Sequence, residues 1–255
     1  MRFKGLVACL FLVFSVAAEA SSRWVSLNQC LDYLLIDWAP EQVVGITGLD
    51  ETLINEKHRA HFGRLENILR LQPDRVFATE YNNPKLIRLL RQYTEVEVLP
   101  QPSSLARYDE WVTQLSQYAQ LAPHARAHQQ QLEQAMKQAQ QVAQKVIILM
   151  PNQFSWGTAS WADELISAMH WKNLAAPFGE NLVSLTLEEV IKLTPDRYLL
   201  EGFSRAHYAL ANEWLHHPLL QEHLENTPTQ QIPPRLSSCP VVFADDYLKA
   251  IQGKL

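Results

Sequence analysis

Two stretches of the chain share one local grammar, and that repetition limits the possible folds more than any other feature. The first runs Leu65-Glu66 to Leu71-Gln72-Pro73-Asp74 and enters Arg75-Val76-Phe77-Ala78. The second runs Leu187-Glu188 to Leu193-Thr194-Pro195-Asp196 and enters Arg197-Tyr198-Leu199-Leu200. Each reads as an amphipathic helix closed by a Pro-Asp turn that delivers the chain into a strand. A supersecondary unit present once in each half argues for two similar lobes. With 255 residues, 47% of them hydrophobic, the chain can supply both lobes with a core.

Strands and helices alternate around the first copy. Strands are predicted over 23–27, 42–46 and 95–99, and helices over 31–38 and 85–92. The pattern resumes with a buried strand, Lys145 to Met150, and a helix over 162–169. Such alternation across short turns predicts largely parallel sheets. The stretch from Tyr108 to Lys145 carries no strand signal and one proline, Pro123. Its second part, His124 to Lys145, is rich in Gln and lacks Gly, with Leu132, Met136, Ala139 and Ala143 at spacings of three and four. That pattern predicts one long, mostly solvated helix. Taken alone it is a surface helix; flanked by α/β patterning it reads as a rigid connector. The expected fold class is therefore α/β, two lobes with parallel-type central sheets joined by a single long α-helix. The expected boundaries are a leader at 1–20, a first lobe at 21–107, a helical connector at 108–144 and a second lobe at 145–255.

The leader rests on Arg2 and Lys4, an apolar run from Gly5 to Ala18, and the small-residue pattern Ala18-Glu19-Ala20. This is the layout of a cleavable secretory signal. The apolar run is short against the roughly 20 residues of a spanning helix. Cys9 precedes most of that run, which argues against lipid attachment there. Cleavage leaves Cys30 and Cys239 as the remaining thiols of the three in the chain. In an oxidising compartment a Cys30–Cys239 disulfide is expected, the alternative being two separately buried thiols. A formal charge of −5 and the absence of any polybasic run exclude a nucleic-acid footprint.

No catalytic signature is present: no Gly-x-Ser-x-Gly, His-Glu-x-x-His, phosphate-binding Gly-rich loop or Cys-x-x-Cys. Among nine histidines, His58 and His61 lie three apart and His216 and His217 are adjacent, but convergent metal ligands are not evident. No catalytic residue, metal site or cofactor is expected. The informative residues follow the predicted strands, where α/β lobes bind ligands. They are Asn28 and Gln29, Tyr81, Phe154, Trp156, Trp161, Phe203 and Tyr208. Trp156 and Trp161 flank Gly157, which admits close backbone approach. Aromatic walls with Asn and Gln donors suit a large ring-bearing ligand, about half of these aromatics being expected in the cleft and the rest in lobe cores.

These residues resemble the class III periplasmic substrate-binding proteins of ABC importers. The resemblance is carried by Val25-Ser26-Leu27-Asn28-Gln29-Cys30, by Leu65-Glu66-Asn67-Ile68 through Pro73-Asp74-Arg75-Val76, and by the long helix. It continues in Gly157-Thr158 through Glu164-Leu165-Ile166, in Asn173-Leu174-Ala175, and in Leu185 to Pro195-Asp196. It implies two α/β lobes bridged by a helix, and a periplasmic, non-enzymatic receptor for cobalamin, a ferric siderophore or haem. The implied partners are that small-molecule chelate and an inner-membrane ABC permease, with the receptor a monomer. Haem would favour Tyr81 as iron ligand, a siderophore would want cations, and cobalamin would fit aromatic walls without fixed charge. The small-residue turn of the family is reduced to Gly157, Ala159 and Ser160, and Lys85 stands where relatives present a Glu to the permease. The rival readings are an exported α/β enzyme with an unrecognised motif, and a sensory or partner-binding protein on the same fold.

Overall fold

The computed structural model describes residues 22–139, 142–203 and 209–254; the leader read at 1–20 lies outside the described residues. The first lobe is a run of strand–helix units. It comprises β1 (Trp24–Ser26), α1 (Gln29–Trp38), β2 (Val43–Ile46), β3 (Arg59–Ala60), α2 (Leu65–Arg70), β4 (Arg75–Ala78), α3 (Pro84–Leu90) and β5 (Glu95–Val98). The five strands form one parallel sheet in the order β3-β2-β1-β4-β5. Alternate residues face opposite sides of that sheet. Trp24 and Phe77 join one core with Leu34 and Leu35 of α1, while Val25, Val76 and Ala78 join another with Ile68 and Leu90.

Two helices follow, α4 (Leu105–Leu115) and α5 (Ala122–Lys137). The second lobe adds β6 (Lys145–Leu149), β7 (Phe154–Trp156), α6 (Trp161–Ala168), β8 (Lys172–Asn173), β9 (Leu182–Ser184), α7 (Leu187–Lys192), β10 (Arg197–Leu200), α8 (Pro218–Asn226), β11 (Thr229–Gln231), α9 (Pro234–Ser238) and α10 (Ala244–Gln252). Its main sheet is parallel, in the order β11-β10-β6-β8, and β7 pairs antiparallel with β9 beside it. The α/β class and the two parallel sheets are as the sequence led us to expect.

The repeated Pro-Asp turn has one job in both lobes. Asp74 accepts the Arg23 amide at 2.8 Å and returns its own amide to the Arg23 carbonyl at 2.9 Å. Asp196 does the same with Lys145, at 2.7 Å in each direction. Each turn thus clamps the entrance of the neighbouring parallel strand, β1 in one lobe and β6 in the other.

The middle of the chain differs from the sequence expectation in its bounds. Helix α5 ends at Lys137, short of Lys145, and α4 precedes it as a separate helix. Among the described residues beyond Ala139, Val142 is 68% exposed and Ala143 is also exposed. Helix α10 packs along α5, and His128 fastens the layer: Tyr108 Oη donates to its Nδ1 at 2.6 Å and its Nε2 donates to the Val242 carbonyl at 2.9 Å. Leu34, Leu132, Val146, Ile148, Leu165 and Ile251 belong to a single buried cluster, so one core runs from the first lobe through the helices into the second.

Cys30, at the start of α1, is joined to Cys239, just after α9, with Cα atoms 5.3 Å apart. The bridge closes a separation of 209 residues and packs against Tyr33. The double variant C30A/C239A is expected to lose roughly 2–5 kcal/mol of unfolding free energy, read from urea denaturation. A midpoint equal to that of the oxidised wild type would contradict a stabilising bridge.

Candidate ligand cleft

A cavity of ≈ 200 Å³ lies between the lobes. Tyr81, Gln101 and Pro102 line it from the first lobe, Trp156, Trp161 and Asn181 from the second, and Pro240, Val241 and Tyr247 from the C-terminal segment. Tyr81 is 75% exposed at the rim. Among the described residues, those lining the cleft carry no ionisable group besides the phenols of Tyr81 and Tyr247. The walls offer aromatic faces, prolines, hydroxyls and amides. Such a surface recognises shape and hydrogen-bonding edges rather than charge.

Trp156 is held in place along its whole length. Its strand β7 pairs with β9 through Trp156 opposite Leu182. Its carbonyl accepts the Asn173 side-chain amide at 2.8 Å, and Asn173 also donates to Asp163 at 2.9 Å. Its indole Nε1 donates to Glu201 at 3.3 Å. The next residue, Gly157, sits under the Gly179 carbonyl, and a Cβ there would lie 2.1 Å from that oxygen. Only a glycine lets the β7–β9 ribbon close behind Trp156. The variant G157A is expected to cost roughly 1–3 kcal/mol in stability through overpacking against backbone. Thermal denaturation tests this; a melting temperature within error of wild type would show that the ribbon can yield.

Glu201 follows β10 and is 1% exposed. One carboxylate oxygen accepts from Trp156, and the other accepts the Tyr247 hydroxyl at 2.9 Å. Burial raises its pKa to about 7, against the lowering effect of these two donors. A raised carboxyl pKa means that folding favours the protonated form. The stabilising contribution is therefore full below the ordinary glutamate range and is lost as pH climbs through about 7. E201Q cannot ionise, so its stability relative to wild type should rise between pH 5 and pH 8, by on the order of 3 kcal/mol. Urea midpoints for both proteins across that interval would decide it. A constant difference would mean that Glu201 does not titrate there.

The sequence-predicted residues divide clearly. Tyr81, Trp156 and Trp161 come together in the cleft, although Trp161 is also a core residue, 6% exposed and 5.5 Å from the Tyr108 ring. Asn28 is occupied as the N-cap of α1, accepting the Cys30 amide at 2.9 Å and donating to Thr79 at 3.3 Å. Gln29 donates to the Tyr33 hydroxyl at 3.4 Å. Phe154 lies on β7 but is absent from the lining. Phe203 is 5% exposed in the second-lobe core with Leu149, Tyr198 and Leu220, and it is not among the residues lining the cleft. Tyr208 lies outside the described residues. His61 is buried with both ring nitrogens engaged, one by the Ser26 carbonyl and one by the Gly63 amide. Lys85 is exposed at the start of α3, beside Glu66 on the rim of a separate surface hollow. Among the described residues, no group of three His, Cys, Asp or Glu side chains is placed to hold a metal ion.

Sequence reasoning did not single out Gln101, Asn181, Tyr247 or Glu201. Gln101 and Pro102 follow β5, as the strand-end rule would have allowed. Asn181, Tyr247 and Glu201 reach the site through β9, α10 and a buried carboxyl that leave no local signature.

No family model matches the chain, and no curated protein matches it by sequence. Solved structures do. A possible iron-binding (periplasmic solute-binding) protein from Staphylococcus epidermidis superposes with a TM-score of 0.74 at 16% identity, covering 91% of this chain and 97% of that one. The periplasmic haem-binding protein HutB of Vibrio cholerae gives 0.68 at 20% identity, covering 92% and 98%. The periplasmic vitamin B12-binding protein BtuF of Vibrio cholerae gives 0.64 at 16% identity, covering 91% and 96%. At these identities the likeness establishes the fold.

Proposed function

We propose, for a chain that has the fold of class III periplasmic binding proteins, that it is the solute-binding component of an ABC importer. It would work as a periplasmic receptor, without enzymatic activity, and hold a metal-chelate or tetrapyrrole-type ligand between its lobes. The observation that carries this reading is the aromatic cleft between two parallel-sheet lobes, walled by Trp156 and rimmed by Tyr81. The proteins of similar fold are described as binding iron, haem or vitamin B12, which supports the ligand class.

The chemistry of the walls favours an uncharged, amide-bearing ligand of the cobalamin kind. Hydrogen-bonding groups such as Gln101, Asn181 and Ser238 suit amide edges, and no cation among the described lining residues would neutralise a carboxylate. A second reading, haem, is favoured by one feature, the exposed Tyr81 phenol at the rim, a known type of axial ligand to haem iron. The cavity of ≈ 200 Å³ is below the about 300–1,000 Å³ of ordinary ligand pockets. A macrocycle would therefore enter by one edge and leave its remainder over the rim.

Intrinsic tryptophan emission should change when cyanocobalamin, haemin or ferrichrome is added at micromolar concentration, and W156A should weaken the effective probe about tenfold. Y81F separates the two readings: it should abolish haemin binding if Tyr81 ligates iron, and leave cyanocobalamin binding within about twofold if it does not. Silence from the whole panel would remove the support for a chelate receptor.

A further inference from the structure

We infer that Glu201 is a positioning residue for the cleft, a buried carboxyl that sets the orientation of Trp156 and Tyr247 without touching the ligand. The inference rests on the cleft being the binding site proposed above. Its basis is a three-element joint. Glu201 lies at the end of β10, Trp156 on β7 and Tyr247 on α10, and both donors line the cleft while the acceptor lies behind them. Trp156 belongs to the small β7–β9 ribbon rather than to the main sheet. Its indole is therefore tied to the main sheet through the Glu201 carboxylate. Tyr247 is tied to the same group, so two walls of the cleft share one acceptor.

A carboxyl is an unusual choice for this place. Taking it out of water is costly, and among the described residues no Lys, Arg or His contributes to its environment. An apolar residue of similar size would avoid that cost but would leave the Trp156 and Tyr247 donors unpaired. What the carboxylate supplies is two acceptor oxygens in a fixed plane, enough for one indole N–H and one phenol O–H. Among the described residues, Tyr247 is the titratable group facing it, from α10, and burial holds that phenol well above its usual range. Ionisation of Glu201, with a pKa of about 7, is then the event that strengthens or relaxes both bonds near neutrality.

The experiment has a ligand-free arm and a ligand arm. Acrylamide quenching of the Trp156 contribution, taken as the difference between each protein and its W156F counterpart, reports the indole's placement. It should increase in E201L and return close to wild type in E201Q, whose carboxamide keeps an acceptor for the indole. In the second arm, whichever of cyanocobalamin, haemin or ferrichrome binds wild type should bind E201L about tenfold more weakly, with most of the loss recovered in E201Q. Unchanged quenching in E201L, or equal loss of affinity in E201L and E201Q, would overturn the inference. If no probe binds wild type, the receptor reading fails while the quenching arm still tests Glu201. Should E201L not fold, the wild-type Trp156 signal from pH 5 to pH 9 replaces it. A transition near pH 7 that vanishes in E201Q supports the positioning role, and a flat wild-type profile refutes it.

Discussion

The helical layer formed by α4, α5 and α10 is shared between the two sheets, and the relation of the lobes depends on it. Its buried side joins both lobes: Leu132 and Ile251 belong to the same buried cluster as Leu34 of the first lobe and Ile148 and Leu165 of the second. Parting the lobes would expose apolar surface at about 25 cal/mol per Å², and would also work against the Cys30–Cys239 bridge. His128 adds two oriented hydrogen bonds that hold α5 between α4 and the segment entering α10. Burial lowers the pKa of that imidazole, which keeps it in the neutral form that can accept from Tyr108 and donate to Val242. The interlobe geometry is thus a property of the core, and the cleft inherits it.

The reciprocal backbone clamps at Asp74 and Asp196 explain why the fold was legible at low cost. A parallel strand needs its entrance fixed in register, and a Pro-Asp turn supplies both a stiff corner and a carboxylate for the neighbouring amide. Because the same problem arises in each lobe, the same residues solve it, and the repeat becomes visible in one sequence. The strands of the main sheets were legible for a related reason: Val146 to Leu149 and Val76 to Ala78 are buried on both faces and read as continuous apolar runs. The ribbon β7–β9 was not legible, since three-residue strands with exposed members such as Leu182 and Ser184 carry no periodic signal. The end of α5 was misplaced for the opposite reason, since Ala and Gln continue a helical pattern past Lys137, where the helix ends.

The site was legible to the extent that strand ends predict it. Tyr81, shortly after β4, and Trp156, on β7 just beyond β6, line the cleft as strand-end positions do. Asn28 obeys the same rule by position, yet the open amide of Cys30 at the start of α1 claims its side chain. Phe203 also follows a strand, but the second lobe needs an apolar group under β6 and β10 and takes it there. Glu201 could not be recognised in sequence, because a single Glu after a strand is ordinarily solvated. Its meaning comes only from burial and from two donors brought from β7 and α10.

These features together define how such a cleft selects. On the proposed receptor reading, lobes fixed by a common core do not wrap tightly around each ligand, and discrimination falls to the shape and polarity of walls already in place. Here the described lining residues carry no charged side chain, and the Glu201 carboxyl is held behind Trp156 and Tyr247 rather than among them. Exposing that carboxyl would favour cations and repel carboxylate-bearing chelates. Withdrawing it converts a charge into orientation, since each aromatic donor then has one preferred partner and one preferred ring plane. The prepaid ordering of Trp156, through β9, Asn173 and Glu201, reduces the side-chain entropy that ligand binding would otherwise consume. On that reading, affinity draws on rigidity established during folding, and residues that never meet the ligand contribute to it.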